Sequence, residues 1–320
     1  MTVVVPGLIF MSQQAAPQQG LTEAEKKVEE LIERSGILAR TRVITSLNER
    51  FGQVDCAQEE LIRQVEADKE LVAKLMVVAN SAWFGSRTKI TKVDEAFGRL
   101  GLTEFYNAVV VSVLRLALGE TGPVCGAYWG HVEVIGHMGE IAAQHLAPGL
   151  EPQAFLLGLL HDVAVPMMSR HVTDYAYLVD DALSSNPASP DTEIECYGFN
   201  HAQVSMALAR KWGFAPELCT AIPYHHQATL ANAPAASRPL LGLLLLGEKI
   251  HAFSAGEVPA IFVSQDDLRL LGEAAAAFGT DETTIKAAVA EIERLQRAHF
   301  APKVLLPNEC RLNFFKNRKF

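Results

Sequence analysis

An imidazole and a carboxylate stand side by side at His161 and Asp162, where they close the apolar run Phe155-Leu156-Leu157-Gly158-Leu159-Leu160. On a buried helix such a pair is expensive to desolvate, because a carboxylate without a partner in a poorly hydrated region is raised in pKa and destabilises the fold. A counter-ion or a metal ion must therefore neutralise Asp162. Further ligand-type residues stand at wide spacing in the chain: His131, His201, His225, His226 and Glu248. A His-Asp dipeptide alone is a weak signal. With His201 opening one predicted helix and His225-His226 ending another, it makes residues 125–252 the place to look for function.

The other histidines read as structural. His131, His137 and His145 share one predicted helix. At about 100° per residue His137 lies about 120° out of phase with His131, and His145 about 40°, so the three cannot all face one centre. His137, His145, His171, His251 and His299 are assigned to packing and surface roles.

Nearly every periodic segment that must position these groups has helical spacing, and strand-like alternation is almost absent. Residues 21–34 form an amphipathic pattern that begins near Thr22 and stops at Gly36, with Val28, Leu31 and Ile32 on its apolar face. Asp55 with Glu59 opens a second helix, and Asp68 a third, whose Leu71, Leu75, Met76, Val78 and Ala79 are candidate core. Gly85 ends that helix. A short helix from Thr91 closes at Gly101, and Thr103-Glu104 cap a long apolar helix through Leu118. The run 119–123 is the first break. It divides an N-terminal helical module (21–122) from a histidine-bearing module (123–256), with predicted helices at about 127–146, 153–164, 171–183, 201–212, 215–224 and 237–252. Ser184 to Asp191 is a Ser/Pro-rich loop of the kind that borders a site. Two further helices, opened at Ser264 and at Thr280-Asp281, give an extension over 257–320, and residues 1–20 read as a mobile segment.

The 320 residues are 49% hydrophobic and 20% charged, which fits a globular chain and excludes a mainly disordered one. A net charge of −9 argues against a broad basic face for nucleic acid, and the basic, Phe-rich tail around Arg311, Lys316, Arg318 and Lys319 reads as a solvated or docked terminus. The five cysteines form no CxxC pair and read as reduced, mostly buried thiols. The apolar stretch 3–11 is shorter than the roughly 20 residues that a bilayer requires, and Leu240–Leu246 suits a core helix better than a span. No membrane partner and a cytoplasmic location are the expectation.

Two blocks of sequence, in order, resemble the HD superfamily of metal-dependent phosphohydrolases and more closely its HDOD branch, the output domain of bacterial signalling proteins. The first is LVAKLMVVANSAWFG (71–85) followed by KITKVDEAFGRLGLTEFYNAVVVSV (89–113). The second comprises YWGHVEVIGHMGEIAA (128–143), AFLLGLLHDVA (154–164), FNHAQVSMALARKWGF (199–214) and AIPYHH (221–226). Without the family, the first block reads as a packing device: Asn80-Ser81 end an apolar helix, Trp83-Phe84 supply a plug for core or interdomain contact, and Gly85 permits a left-handed turn.

The resemblance implies an all-α, multi-helix HD-type bundle with an N-terminal helical module. It carries metal positions over to His131, His161, Asp162, His201, His225, His226 and Glu248, the last where the family usually has Asp. This donor set suits iron, manganese or zinc as one ion or two, with Asp162 able to bridge a pair, and a bridging water of lowered pKa could attack a phosphoester. Asp162 is thus the candidate catalytic group. Two departures weigh against catalysis. The enzymes follow their HD pair with Ile-Gly-Lys, whose lysine faces the phosphate, whereas Val163, Ala164 and Val165 stand here. The Gly-Tyr-Pro motif of the cyclic-di-GMP phosphodiesterases is replaced by Gln227-Ala228-Thr229. Three readings stay open: a regulatory HDOD protein that binds signalling proteins or a ligand, with or without a retained metal; a phosphohydrolase acting on a nucleotide or other phosphoester; and a metal-free helical scaffold.

Overall fold

Helix α1 (Glu23–Ser35) starts with a reciprocal cap. Thr22 Oγ1 accepts from the Glu25 backbone while the Glu25 carboxylate accepts from the Thr22 N–H, and Gly36 ends the helix at φ 64°. Val28, Leu31 and Ile32 are buried on its inner face. The structure is a computed structural model, and it describes residues 21–51, 58–81, 84, 88–121, 123–178, 189–227, 229–254 and 264–299. Asp55, Trp83, Gly85, most of the Ser184–Asp191 loop, both terminal segments, Cys56 and Cys310 lie outside them. Every described element is helical, so the all-α architecture holds.

Two short helices that the sequence pattern does not announce, α2 (Ile37–Arg40) and α3 (Arg42–Phe51), precede α4 (Gln58–Glu66) and α5 (Lys69–Ala79). Asp68 caps α5 as its spacing implies, accepting from the Glu70 and Leu71 N–H groups. Leu71, Leu75, Val78 and Ala79 are core, while Met76 is only half-buried. Asn80 does more than end this helix. Its amide donates to the carbonyls of Met76 (2.6 Å) and Ile90 (2.8 Å), and its oxygen accepts from the Ile90 N–H (2.7 Å), which clamps both ends of the intervening segment.

The next helical run, α6 (Val93–Leu118), bends at Gly101, whose φ of 74° and ψ of 174° are not helical. It is the one described helix long and apolar enough to cross a membrane, but the bend divides it and 61% of the qualifying window is buried inside the protein. Gly101 marks the boundary, as the sequence pattern implies, but Glu104 does not act as part of the expected Thr103-Glu104 cap. Glu104 instead hydrogen-bonds with Glu140 on α7 (Pro123–Leu146), and burial, reinforced by that neighbouring carboxylate, raises its pKa to about 7. Phe84 is half-buried against the core with its ring 6.4 Å from that of His137 on α7.

The polar contacts that dock the N-terminal helices centre on Trp212. Its indole N–H donates to Thr41 Oγ1 (2.7 Å), its carbonyl accepts from the Asn48 amide (2.8 Å), and Tyr106 donates to the Asn48 oxygen. All four residues are buried, so each polar group satisfies another. One apolar core runs through the described helices from Val28 to Ile292.

The histidine-bearing part continues with α8 (Glu151–Leu160), α9 (Ala164–His171), α10 (Pro190–Tyr197), α11 (His201–Lys211), α12 (Pro216–Ala221) and α13 (Arg238–Ser254). The expected helix over 153–164 stops at Leu160 and gives way to a turn over 161–163; the expected helix over 171–183 is instead α9 ending at His171, with 175–178 helical after it. Helix α10 occupies a stretch to which the sequence reading gave no element, and it overlaps the expected loop only at Pro190 and Asp191. Ser189 caps it by accepting from the Thr192 N–H, and Asp191 lies in its first turn. Cys125 and Cys219 are buried, but Cys196 on α10 is exposed.

Glycines set how closely the central helices approach. A Cβ on Gly158 of α8 would overlap the Cα of Gly136 on α7, and one on Gly136 would fall 2.9 Å from the Phe155 carbonyl. Backbones as close as those of α7 and α8 leave no room for a side chain between them. On α13, a Cβ at Gly247 would meet the backbone of Ile135 and Gly139 at 3.4 Å, an ordinary packing distance. The C-terminal helices α14 (Gln265–Phe278) and α15 (Glu282–His299) start at the expected Ser264 and Asp281 caps. Lys249 of α13 pairs with Asp267 of α14. Burial opposes the Asp267 charge, but hydrogen bonds from Lys249 and Ser264 outweigh it and hold the pKa at about 2.

Two measurements check these contacts. Gly158→Ala wedges α7 from α8 and should cost about 1–3 kcal/mol or more, read as a lowered denaturation midpoint. For Glu104 the folded-state pKa lies above the unfolded value, so the acid's favourable contribution is complete below about 4.5 and lost as pH rises through about 7. Glu104→Gln should therefore melt higher than the parent at pH 8 and match it at pH 4; an equal gain at both values would place the effect elsewhere.

Candidate metal centre

Five elements deliver seven ligand-type side chains to one region. Helix α7 supplies His131, the turn after α8 supplies His161 and Asp162, α11 begins with His201, the 3-10 turn Ile222–Tyr224 leads into His225 and His226, and α13 supplies Glu248. Six of them are buried, between 0% and 4% exposed, and His226 is half-buried. The structure thus brings all seven sequence candidates together.

Asp162 sits between two groups of donors. Its Oδ1 lies 3.2 Å from His225 Nε2 and 3.3 Å from His201 Nε2; its Oδ2 lies 3.3 Å from His161 Nε2 and 3.9 Å from His131 Nε2. Glu248 Oε1 is 3.6 Å from His161 Nε2. Ligand atoms of Asp162, His201, His225 and His226 fall within 4.8 Å of one another, and so do those of His131, His161 and Glu248. Each carboxylate oxygen of Asp162 therefore serves a different half.

Backbone carbonyls fix which nitrogen of each ring faces inward. His161 Nδ1 donates to Gly158 O (2.8 Å) and His225 Nδ1 to Ile222 O (2.6 Å), so both Nε2 atoms turn toward the centre. Within the two halves the inward nitrogens nearly touch: His131 and His161 Nε2 are 3.2 Å apart, and His201 and His226 Nε2 are 2.7 Å apart. Each pair needs either a hydrogen bond, which the neutral N–H tautomer of one ring supplies to the lone pair of the other, or a metal ion that both lone pairs would ligate.

The electrostatics reflect that demand. Burial works against the charge on Asp162, yet His161, then the hydrogen bonds from His161, His201 and His225, hold its pKa well below the usual carboxylate range. Burial also opposes a charge on His201, but Glu193 and Asp162 raise its pKa to about 10. Burial lowers that of His225, with Asp162 compensating only in part. The Asp162 carboxylate is thus held ionised by His161 first, with hydrogen bonds from His201 and His225 beside it.

Glu193 is the residue that the sequence reading missed. Buried on α10, it accepts from Tyr175 OH (2.8 Å), from the His201 backbone N–H (2.6 Å) and from His201 Nδ1 (2.8 Å). The Ser189-Pro190 start with acidic residues behind it could have revealed α10. Nothing in the spacing joins Glu193 to His201. The remaining histidines separate from the centre: His137 pairs with Glu140 at 3.1 Å and packs on Phe155, His145 is exposed, and His251 is half-buried with its ring 6.1 Å from that of His131. The side chain of His299 lies outside the described residues. Val163, Ala164 and Val165 are buried apolar residues, and the Ala164 N–H donates to Ser205 Oγ at 3.1 Å.

Known proteins share this architecture. An HDOD domain protein of unknown function from Geobacter sulfurreducens has a similar structure, with a TM-score of 0.61 at 17% identity over 87% of this chain and 98% of its own. A protein from Marinobacter aquaeolei VT8, provisionally named a signal transduction protein, gives a TM-score of 0.62 at 20% identity over 87% of this chain and 64% of its own. One from Shewanella amazonensis SB2B, provisionally named a phosphohydrolase, gives 0.57 at 20% identity over 85% and 99%. At these identities the likeness is one of fold. An uncharacterized protein of Treponema pallidum (strain Nichols) is 24% identical over 213 residues, covering 64% of this chain, which spans about 40% of that relative's length. The HDOD domain family matches residues 38–228, well over half of the sequence, and the chain belongs to that family.

Proposed function

We propose that the chain is a regulatory HDOD module of bacterial signal transduction, working by binding partner proteins or a ligand, and that its buried polar centre holds one or two divalent transition-metal ions. One observation carries the metal assignment: five imidazoles and two carboxylates converge inside an apolar bundle as two clusters of ligand-type atoms, each within 4.8 Å, a donor set that a divalent cation would satisfy. Residues of both types suit iron, manganese or zinc. His201, His225 and His226 with Asp162 Oδ1 would hold one ion; His131, His161 and Glu248 with Asp162 Oδ2 would hold the other. A resident ion would supply a positive charge that fastens five helical elements at one point, as structural metals do.

The residues after Asp162 favour the regulatory reading over hydrolysis. Where catalytic members of the superfamily place a lysine toward the phosphate, this chain has Val165, itself buried at 4% exposure. A transferring phosphoryl group would lack that partner for its developing charge. The hydrolase reading draws on Asp162, whose two oxygens face separate donor groups in the manner that two-ion hydrolysis needs. A bound ion there would lower the pKa of a coordinated water.

Metal analysis of the purified chain should find between one and two equivalents of iron, manganese or zinc, and Asp162→Ala should lose most of it. An ion at about 100 times its Kd contributes about 2.7 kcal/mol. Stripping it with a chelator should then lower Tm by roughly 4 °C, and readdition should restore it. Bis(p-nitrophenyl) phosphate should not be turned over by the loaded protein. Turnover that disappears in His161→Ala and Asp162→Ala would instead establish the hydrolase, and metal content below a few tenths of an equivalent would leave a bare scaffold.

A further inference from the structure

The two halves of the centre are built differently behind their ligands, and the difference lies in Glu193. His161 and His225 lean their outer nitrogens on neutral backbone carbonyls, of Gly158 and Ile222. His201 leans on a carboxylate instead, with Nδ1 within 2.9 Å of both Glu193 oxygens. Resting on the reading that the centre takes metal, we propose that Glu193 is a positioning residue that fixes His201 as a ligand and strengthens metal binding selectively in the half formed by His201, His225, His226 and Asp162 Oδ1.

Three features make Glu193 suited to this. First, it is 1% exposed, and its oxygens are held from several directions: Tyr175 OH donates to Oε1, and the His201 N–H donates to Oε2. Second, that N–H is the first of helix α11, so the carboxylate lies at the positive end of a helix dipole, which stabilises its charge where water cannot. Third, an Nδ1–H donated to a carboxylate settles the tautomer. The lone pair is then left on Nε2, the nitrogen 3.3 Å from Asp162, and the anion behind the ring makes that nitrogen a stronger donor.

The carboxylate's own helix is anchored at both ends. Ser189 caps the start of α10, Gly198 ends it at φ 83°, and Lys27 of α1 donates to the Tyr197 carbonyl at its last turn (3.4 Å). Helix α1 also grips α11 through an ion pair between Glu29 and Lys211 (2.6 Å). The donor His201 and its supporting carboxylate are therefore tied to a common helix that lies before the family match at residue 38.

The test is a calorimetric titration of Zn2+ into the metal-stripped full chain, its Glu193→Gln, Glu193→Asp and Tyr175→Phe variants, and a His131→Ala variant that reports on the other half. Glu193→Gln keeps the shape and removes the charge; it should weaken one binding event by about 10–100-fold and leave the second within about twofold. Glu193→Asp should recover part of the loss, and Tyr175→Phe should show a smaller loss in the same event. In His131→Ala the weakened event should be the other one. Nitrogen-15 NMR of the histidine rings should show the His201 Nδ1 signal moving in Glu193→Gln while those of His161 and His225 stay, which a purely structural role would not produce. Should Glu193→Gln fail to fold, the Tyr175→Phe titration and ring signals decide. Equal Zn2+ affinities in parent and Glu193 variants, or a loss spread evenly over both events, would overturn this inference alone. No uptake by the parent would remove the metal reading and this inference with it.

Discussion

A single buried anion organises this fold. Asp162 is 2% exposed, lies at the end of an apolar helix, and stays ionised because imidazoles surround it on both sides. An isolated carboxylate there would be driven to its neutral form at a cost of several kcal/mol. Keeping it charged requires hydrogen-bond donors and positive charge within about 4 Å, and besides its neighbour His161 these come from distant parts of the chain. The crossing of α7 and α8, the turn over 161–163, the start of α11 and the placement of α13 all serve that requirement. His201, whose pKa Glu193 and Asp162 raise to about 10 against the effect of burial, belongs to the same balance.

Close backbone contact makes the arrangement rigid. Gly136 and Gly158 let α7 and α8 approach until no Cβ fits between them, and Gly247 seats α13 on the same stretch of α7. His131, the His161-Asp162 pair and Glu248 are thereby held by three helices in backbone contact rather than by interdigitated side chains, which could re-pack. On the other side, His201 is held by charge and hydrogen bonds through Glu193, Tyr175 and α1. Steric fit thus positions one half of the centre, and electrostatics the other.

The convergence of ligand-type residues was legible partly from residue types, because His and Asp at the end of an apolar run carry a cost that convergence relieves, and partly from the resemblance to the HD superfamily. Helix starts at Thr22, Asp68 and Ser264 were legible for a local reason: each cap is satisfied within three residues of itself. Glu193 was not legible, since its partners Tyr175 and His201 are joined to it only by tertiary packing. Asn80 was read as a helix end, and its clamp on Ile90 required coordinates. Helices α2 and α3 are short and give little periodic signal. The expected cap at Thr103-Glu104 failed because Glu104 was recruited to a contact with Glu140.

The donors are strung from His131 to Glu248, and α13, which carries the last of them, is braced by the Lys249–Asp267 pair to the helix after it. A chain emerging from the ribosome therefore exposes its histidines long before the acid that completes their surroundings. Contacts so distant in sequence form late, after most loop-closure entropy has been overcome. The polar cluster is consequently complete only in the finished fold, and the histidines of earlier intermediates must stay hydrated until the last helix arrives.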